Sequence, residues 1–333
     1  MLLTPPDPTD AARRIALTTA VRDTDVIPKV PNAGAVEEVE GGRPVQIMHN
    51  GLMVDEACYG GPFMTEIIRE LRGHHEPQEE LVFHRLLERL AAERRAAGEA
   101  PAMVELGAFW AYYSMWFLRA LPGARAIMVE PDPNNLEVGR SNFGLNGLEG
   151  EFLRAAVGGR PGGRIWITAE SDGRARQVPV VSLDSLMSER GLARLDLVLC
   201  DTQGAELSVL MSARAALVAG RVRFLVLSTH HHIFSGDPLT HQRCLAFMED
   251  IGAHVIAEHS ISESCSGDGL IAASMDPRDR DLSVEVSHVR SRDSLFGEPE
   301  FEIERARRWS APLRHYGGPL VKRAQVRMRR ERG

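Results

Sequence analysis

From Pro101 to Ser274 the chain alternates short apolar runs with stretches of helical spacing, and few architectures accept that order. The runs AMVEL (102–106), AIMVE (126–130), GEFLRAAV (150–157), LDLVLCD (195–201), VRFLVLST (222–229), AHVIAEH (253–259) and DGLIAAS (268–274) read as strands. Helical spacing falls near 110–121, 133–142, 205–218 and 238–251. A strand that is nearly all apolar must be covered on both faces, so the alternation predicts βαβ units, a mostly parallel sheet and two helical layers. RIWIT (164–168) and VPVVSLDSL (178–186) read as a β excursion followed by a connector. With 333 residues, 44% of them hydrophobic, there is material for one large core or two modest ones.

The segment before this pattern has a different texture. Residues 1–43 carry Pro5, Pro6, Pro8, Pro28 and Pro31 with little periodicity, which predicts a loosely ordered arm. Then VQIMH reads as a short strand, Asn50-Gly51 as a turn and PFMTEIIREL as a helix. In HHEPQEELVFHRLLERLAAERRAAGE, Pro77 suits a first helical turn and Glu79 and Glu80 suit its N-terminal dipole. Leu81, Phe83, Leu86, Leu87 and Leu90 form the buried stripe of that helix.

A net charge of -7 argues against a dedicated nucleic-acid binder, although the charges from Arg305 to Arg332 are basic except Glu331. Cys58, Cys200, Cys244 and Cys265 show no CxxC spacing, so neither a zinc ribbon nor a disulfide framework is expected. They read as reduced thiols of a cytoplasmic protein. No apolar run has the length a bilayer demands, and neither an export signal nor a membrane span is expected.

Open α/β sheets bind ligands at the carboxyl ends of their strands. The first such end is Val104-Glu105-Leu106-Gly107-Ala108-Phe109, an acid followed by a small-residue turn into a helix. Backbone amides can approach a ligand closely there while Glu105 meets a positive charge. The loop lacks the glycines of GxGxxG, so an ammonium-bearing ligand suits it better than a pyrophosphate. The second strand ends in Glu130-Pro131, at the distance expected of a carboxylate that holds ribose hydroxyls. A glutamate in a turn and a glutamate at a helix start would account for the same spacing.

Several segments together resemble the FkbM family of S-adenosylmethionine-dependent methyltransferases. They are HNGLMVDEACYGGPFMTEIIRELRGHHEPQEE, VELGAFWAYYSMWFL, IMVEPDPNNLEVGRSNFGLNG, SLDSL and LDLVLCDTQGAELSVL, within about residues 45–275. The Asp-x-Gln-Gly-Ala-Glu box at 201–206 is the most specific. The resemblance implies a Rossmann-like class I methyltransferase fold, doubly wound with an antiparallel last strand and an N-terminal helical lid. With the rest of the pattern, the chain is expected to divide into an arm at 1–43, a lid segment at 44–100, a cofactor-binding domain at 101–276 and, outside the resemblance, a C-terminal extension with a basic tail at 277–333. Glu105, Gly107, Ala108 and Phe109 would contact the methionyl part of the cofactor, Glu130 the ribose and Ala155-Ala156 the adenine. Tyr113 and Ser114 begin the next helix, and Asp201 and Gln203 belong to the box. Ala111 stands where the family's loop is usually completed by glycine, and Leu199 where the family often has lysine.

Methyl transfer to a hydroxyl requires an acceptor held in line and a group that takes its proton. The candidates are Asp201 at the fourth strand end and His230, His231 and His232 at the fifth. Tyr59, Glu79 and Ser264 are the candidate acceptor contacts, with Ser266 and Asp268 nearby. A second reading makes Asp201, a histidine and Asp237 or His241 ligands of a divalent ion. The leading expectation is O-methylation of a small molecule or glycan without a metal. An RNA methyltransferase using the basic tail and a non-catalytic cofactor binder are the rivals, and the tail also suits an accessory or oligomer contact.

Overall fold

The computed structural model describes residues 8–93, 100–158 and 162–289; the basic tail lies outside them. Helix α1 (Pro8–Ala20) and a 3-10 turn lead into a three-stranded antiparallel meander of β1 (Val36–Val39), β2 (Arg43–Ile47) and β3 (Met53–Asp55). Helices α2 (Pro62–Glu70) and α3 (Pro77–Ala91) follow, each with proline at its start, where the missing N–H has no helical partner to lose. The main sheet then begins with β4 (Ala102–Leu106), α4 (Tyr112–Ala120), β5 (Arg125–Val129), α5 (Pro133–Leu145) and β6 (Glu151–Leu153). A small side sheet of β7 (Ala156–Val157), β8 (Arg164–Thr168) and β9 (Ala175–Val181) interrupts it, and α6 (Leu183–Glu189) returns the chain. The second half is β10 (Leu195–Asp201), α7 (Glu206–Val218), β11 (Val222–Thr229), α8 (His232–Ser235), α9 (Thr240–Asp250), β12 (His254–His259) and β13 (Gly269–Ser274).

The seven strands lie in the order β6-β5-β4-β10-β11-β13-β12. All run parallel except β13, which is antiparallel to both neighbours. This is the expected mostly parallel α/β sheet with a reversed last strand. Alternate residues feed two cores: Met103, Leu197, Leu199, Phe224 and Val226 pack under α3 and α4. Val104, Leu106, Val198, Cys200, Leu225 and Leu227 pack under α6, α7 and α9. Strand order reverses between β4 and β10, so the crevice at their carboxyl ends is where a ligand enters such a sheet.

Three local outcomes differ from the sequence pattern. Residues 8–43, expected as a loosely ordered arm, contain α1 and β1, because Pro8 opens the helix and Pro28 and Pro31 lie beyond it. Thr18 Oγ1 donates to the Cys265 carbonyl at 3.3 Å, fixing α1 over the loop before β13. The run 150–157 divides into β6 and β7, which pair in different sheets. The SLDSL connector is helical, since Ser182 and Ser185 form a reciprocal capping box.

Candidate active site

The loop after β4 is built by close backbone approach. Gly107 has φ 82°, and a Cβ there would lie 1.6 Å from the carbonyl oxygen of Asp201, so only glycine lets the ends of β4 and β10 meet. Phe109 (φ 39°) and Ala111 (φ 58°) also take left-handed conformations, where a side chain is strained. At Ala111, the glycine usual in the family would be relaxed. Gly139 of α5 accommodates this loop, because a Cβ there would meet the Phe109 carbonyl at 2.8 Å.

Two buried glutamates brace the loop. Glu105 accepts from the Ser114 backbone N–H at 3.0 Å, and burial pushes its carboxyl up to about 8. Glu130 accepts from Phe109 N–H at 3.2 Å and Asp132 N–H at 2.8 Å, and burial pushes it up to about 7. A carboxylate oxygen has more than one lone-pair site, so these contacts leave Glu130 capacity for ligand hydroxyls. Pro131 carries the chain into α5, whose cap is Asp132. Ala155 is fully buried and Ala156 nearly so, directly beyond the end of β6. Tyr113 and Ser114 occupy the first turn of α4, both buried.

Across the crevice lies a charged knot. His230 Nδ1 donates to Glu206 Oε1 at 2.8 Å, while its Nε2 lies 3.1 Å from Asp201 Oδ1 and 3.6 Å from Asp268 Oδ1. Burial opposes charge on this imidazole, yet Asp268, Asp201 and Glu206 hold its pKa well above the ordinary 6.5. An imidazolium with both nitrogens protonated has no lone pair to offer a proton, so the three histidines divide by geometry. His231 turns back to cap α8, its Nδ1 accepting from Ile233 N–H at 3.4 Å, and His232 is the first residue of that helix. Asp201 is the more open member of its pair with His230, its side chain 36% exposed against 6%.

The first turn of α3 closes the acceptor side. Glu79 accepts from Ser228 Oγ on β11, and burial pushes its carboxyl up to about 7. Burial also raises Glu76 and Asp268 above their ordinary values. Glu76, Gln78, Glu79, His259 and Asp268 line a tight cavity of about 10 Å³, room for about one water. Tyr59 stacks on Trp110 at 4.8 Å between ring centroids and meets Phe109 edge-on, joining the segment before α2 to the β4 loop.

Other candidates are engaged elsewhere. Ser264 Oγ accepts from Ser266 and Gly267 N–H at 3.1 Å, so this hydroxyl makes its own turn. Gln203 (φ 49°) is exposed and reaches Glu170 at 3.4 Å. Asp237 pairs with Arg243 at 2.9 Å, and His241 bridges Thr229 and Glu258. His49, His74 and Glu80 bring three ligand-type atoms within 4.8 Å of one another. The His49 and His74 rings stack face to face at 4.3 Å, His49 Nδ1 meets the Tyr112 hydroxyl, and Glu80 is shared by His74, His75 and two backbone amides. Glu206 and Ser228 had no assigned role from sequence; the box itself signals Glu206, whereas a serine inside a strand signals nothing.

Residues 97–255 match the family model described as the methyltransferase FkbM domain. The chain carries an FkbM methyltransferase domain. That match makes it an S-adenosylmethionine-dependent methyltransferase. Among solved structures, the chain is similar to a human methyltransferase 10 domain containing protein, with 14% identity over 60% of this chain and 83% of that one (TM-score 0.38). It is also similar to the N-terminal domain of human METTL16 in complex with SAH, with 15% identity over 70% and 88% (TM-score 0.40). A third is a precorrin-6y C5,15-methyltransferase from Geobacter metallireducens, with 16% identity over 58% and 86% (TM-score 0.36). No curated protein matches the sequence. Among the described residues, no helix is long and apolar enough to cross a membrane.

Proposed function

We propose that this enzyme methylates a hydroxyl of a small molecule or glycan, of natural-product or sugar type, with Asp201 receiving the hydroxyl proton. The observation that carries the reading is Asp201 itself: its backbone carbonyl meets the Gly107 turn, and its partly open carboxylate faces His230. The residues fit the cofactor: Glu105 suits an ammonium, Glu130 ribose hydroxyls and the Ala155-Ala156 turn a flat base. When bound, S-adenosylmethionine supplies an electrophilic methyl on a sulfonium. Asp201 would orient the acceptor hydroxyl and receive its proton as the hydroxyl oxygen takes the methyl group and the sulfonium leaves as a neutral thioether. Glu79 and Tyr59 contact the acceptor from the lid side, and the segment 44–100 excludes water. Four free cysteines agree with a cytoplasmic setting.

The test is mass spectrometry of cell extract incubated with the enzyme and methyl-labelled S-adenosylmethionine. Label in an ether-linked methyl of a small molecule or glycan, lost with Asp201→Asn, is the expected result. Label recovered on RNA, or on nitrogen or carbon alone, overturns the reading.

A further inference from the structure

The Asp-x-Gln-Gly-Ala-Glu box ends in a residue that no part of the proposed mechanism uses. Glu206 opens α7 and is fully buried, an expensive place for a carboxylate unless it is paired and hydrogen-bonded. Its Oε1 accepts from His230 Nδ1 at 2.8 Å and from Gly204 N–H at 2.7 Å. Gly204 makes this turn at φ 108°, and a Cβ there would lie 2.8 to 2.9 Å from the Ser235 and Phe234 backbone of α8. The box therefore brings three things to one point: the end of β10, the start of α7 and the helix that follows His230.

The other face of His230 has the opposite problem. Asp201 Oδ1 and Asp268 Oδ1 lie 3.1 and 3.6 Å from Nε2, one from β10 and one from the loop before β13. Two carboxylates that close repel unless a positive charge stands between them. A neutral imidazole could donate one N–H to one side; an imidazolium donates to both. Resting on the reading that Asp201 serves the acceptor, we infer that Glu206 is a positioning residue. It fixes the proton on His230 Nδ1, so that Nε2–H is aimed at Asp201 and Asp268 and holds the two acceptor-side carboxylates together.

The groups that face this pair are Asp201 on β10, Asp268 before β13, and Cys200 and Cys244 on the Glu206 side. The aromatic neighbour is Phe234, whose ring meets His230 edge-on at 6.1 Å. The three carboxylates all favour the imidazolium, and Glu206 is the one of them that cannot relax into water.

The experiment uses full-length protein with isotope-labelled histidine and follows the His230 ring nitrogens by NMR from roughly pH 5 to 9. In the native protein both nitrogens stay protonated through neutral pH. In Glu206→Gln, which keeps shape but not charge, the His230 midpoint falls by about one pH unit or more. S-adenosylhomocysteine affinity by calorimetry stays within about threefold in the same variant. Glu206→Asp keeps the charge but withdraws it, and its midpoint falls between the two. An unchanged His230 titration in a Glu206→Gln protein that still binds S-adenosylhomocysteine overturns the inference. Loss of that binding in both variants overturns it as well, because Glu206 would then support the fold rather than the histidine. The NMR readout needs no acceptor, so failure to find a methylated hydroxyl would remove the proposed substrate class and leave this result standing.

Discussion

Glu79, in the first turn of α3, accepts a hydrogen bond from Ser228 on β11, a polar contact that helps tie the segment before the sheet to the fifth strand of the methyltransferase domain. Both partners are buried. A carboxyl in that position is easier to bury neutral than charged, and burial accordingly lifts it to about 7 from an ordinary 4.5.

That shift fixes a sign. A folded-state pKa above the unfolded value means a contribution to stability that is complete below about pH 4.5 and is lost as pH rises through about 7. Glu79→Gln removes the titration while leaving an acceptor for Ser228. Thermal midpoints measured at several pH values should show the variant gaining on the native protein as pH rises from acid to neutral. Glu105 and Glu130 are raised in both proteins, so their effect cancels in the difference. A difference that does not change with pH would mean that Glu79 is already charged in the folded state.

Glu130 is the carboxylate on which the cofactor assignment turns. Its oxygens receive the Phe109 and Asp132 amides, so removing it both loosens the β4 loop and deletes a charged hydrogen-bonding group. Glu130→Ala should weaken S-adenosylhomocysteine binding about tenfold or more, as hydrogen bonds to a charged group are worth roughly 1.5 to 3 kcal/mol. Glu130→Gln, which can still accept from one amide, should fall between. Calorimetry that finds the alanine variant as tight as the native protein removes the ribose assignment.

The central strands of the main sheet were legible because each is a run of mostly apolar residues buried on both faces. AMVEL, LDLVLCD and VRFLVLST coincide with β4, β10 and β11 to the residue. Helix α1 was hidden by its flanking prolines, which mark where a helix begins as readily as where none exists. The site was legible one strand end at a time: Glu105, Glu130, Asp201 and His230 all follow from asking what stands at the carboxyl edge of a parallel sheet. What could not be read was pairing across the chain. Nothing local to Ser228 announces Glu79, which is 149 positions away. Nor do three consecutive histidines announce that the first is enclosed by acids while the second turns back as a helix cap. The number of carboxylates around His230 depends on three elements meeting, and that is a property of topology.

Gly107 offers a sharper test of the crevice. Its left-handed φ and the 1.6 Å separation between a built Cβ and the Asp201 carbonyl act together, so Gly107→Ala must move one strand end away from the other. We expect a loss of roughly 4 kcal/mol or more, the range reached when a substitution strains the backbone and overpacks at once. Urea unfolding checks it. A variant of near-native stability would show that the β4 and β10 ends stand further apart than described.

Far from the crevice, Arg223 at the start of β11 is almost fully buried and forks onto Asp279, with Nε and Nη2 at 2.9 and 2.8 Å from the two carboxylate oxygens. Ser274 Oγ donates to the same carboxylate at 2.7 Å, and Glu93 meets Arg223 Nη1 at 2.7 Å. Burial alone would raise Asp279, but Arg223, Ser274 and Arg89 hold it below its ordinary value. Removing one partner of such a pair leaves a desolvated charge, so Asp279→Ala should cost about 3 to 5 kcal/mol by urea unfolding near neutral pH. Arg89→Ala is the control: its side chain is 30% exposed, and loss of its ion pairs should cost about 1 kcal/mol or less. Because the pKa of Asp279 is lowered, its contribution is present above the ordinary aspartate range and is lost as pH falls through and below it. The gap between native and Asp279→Ala proteins should therefore narrow in acid. If Asp279→Ala costs no more than Arg89→Ala, Glu93 suffices for Arg223 and the fork to Asp279 is not what pins the segment after β13 to the sheet.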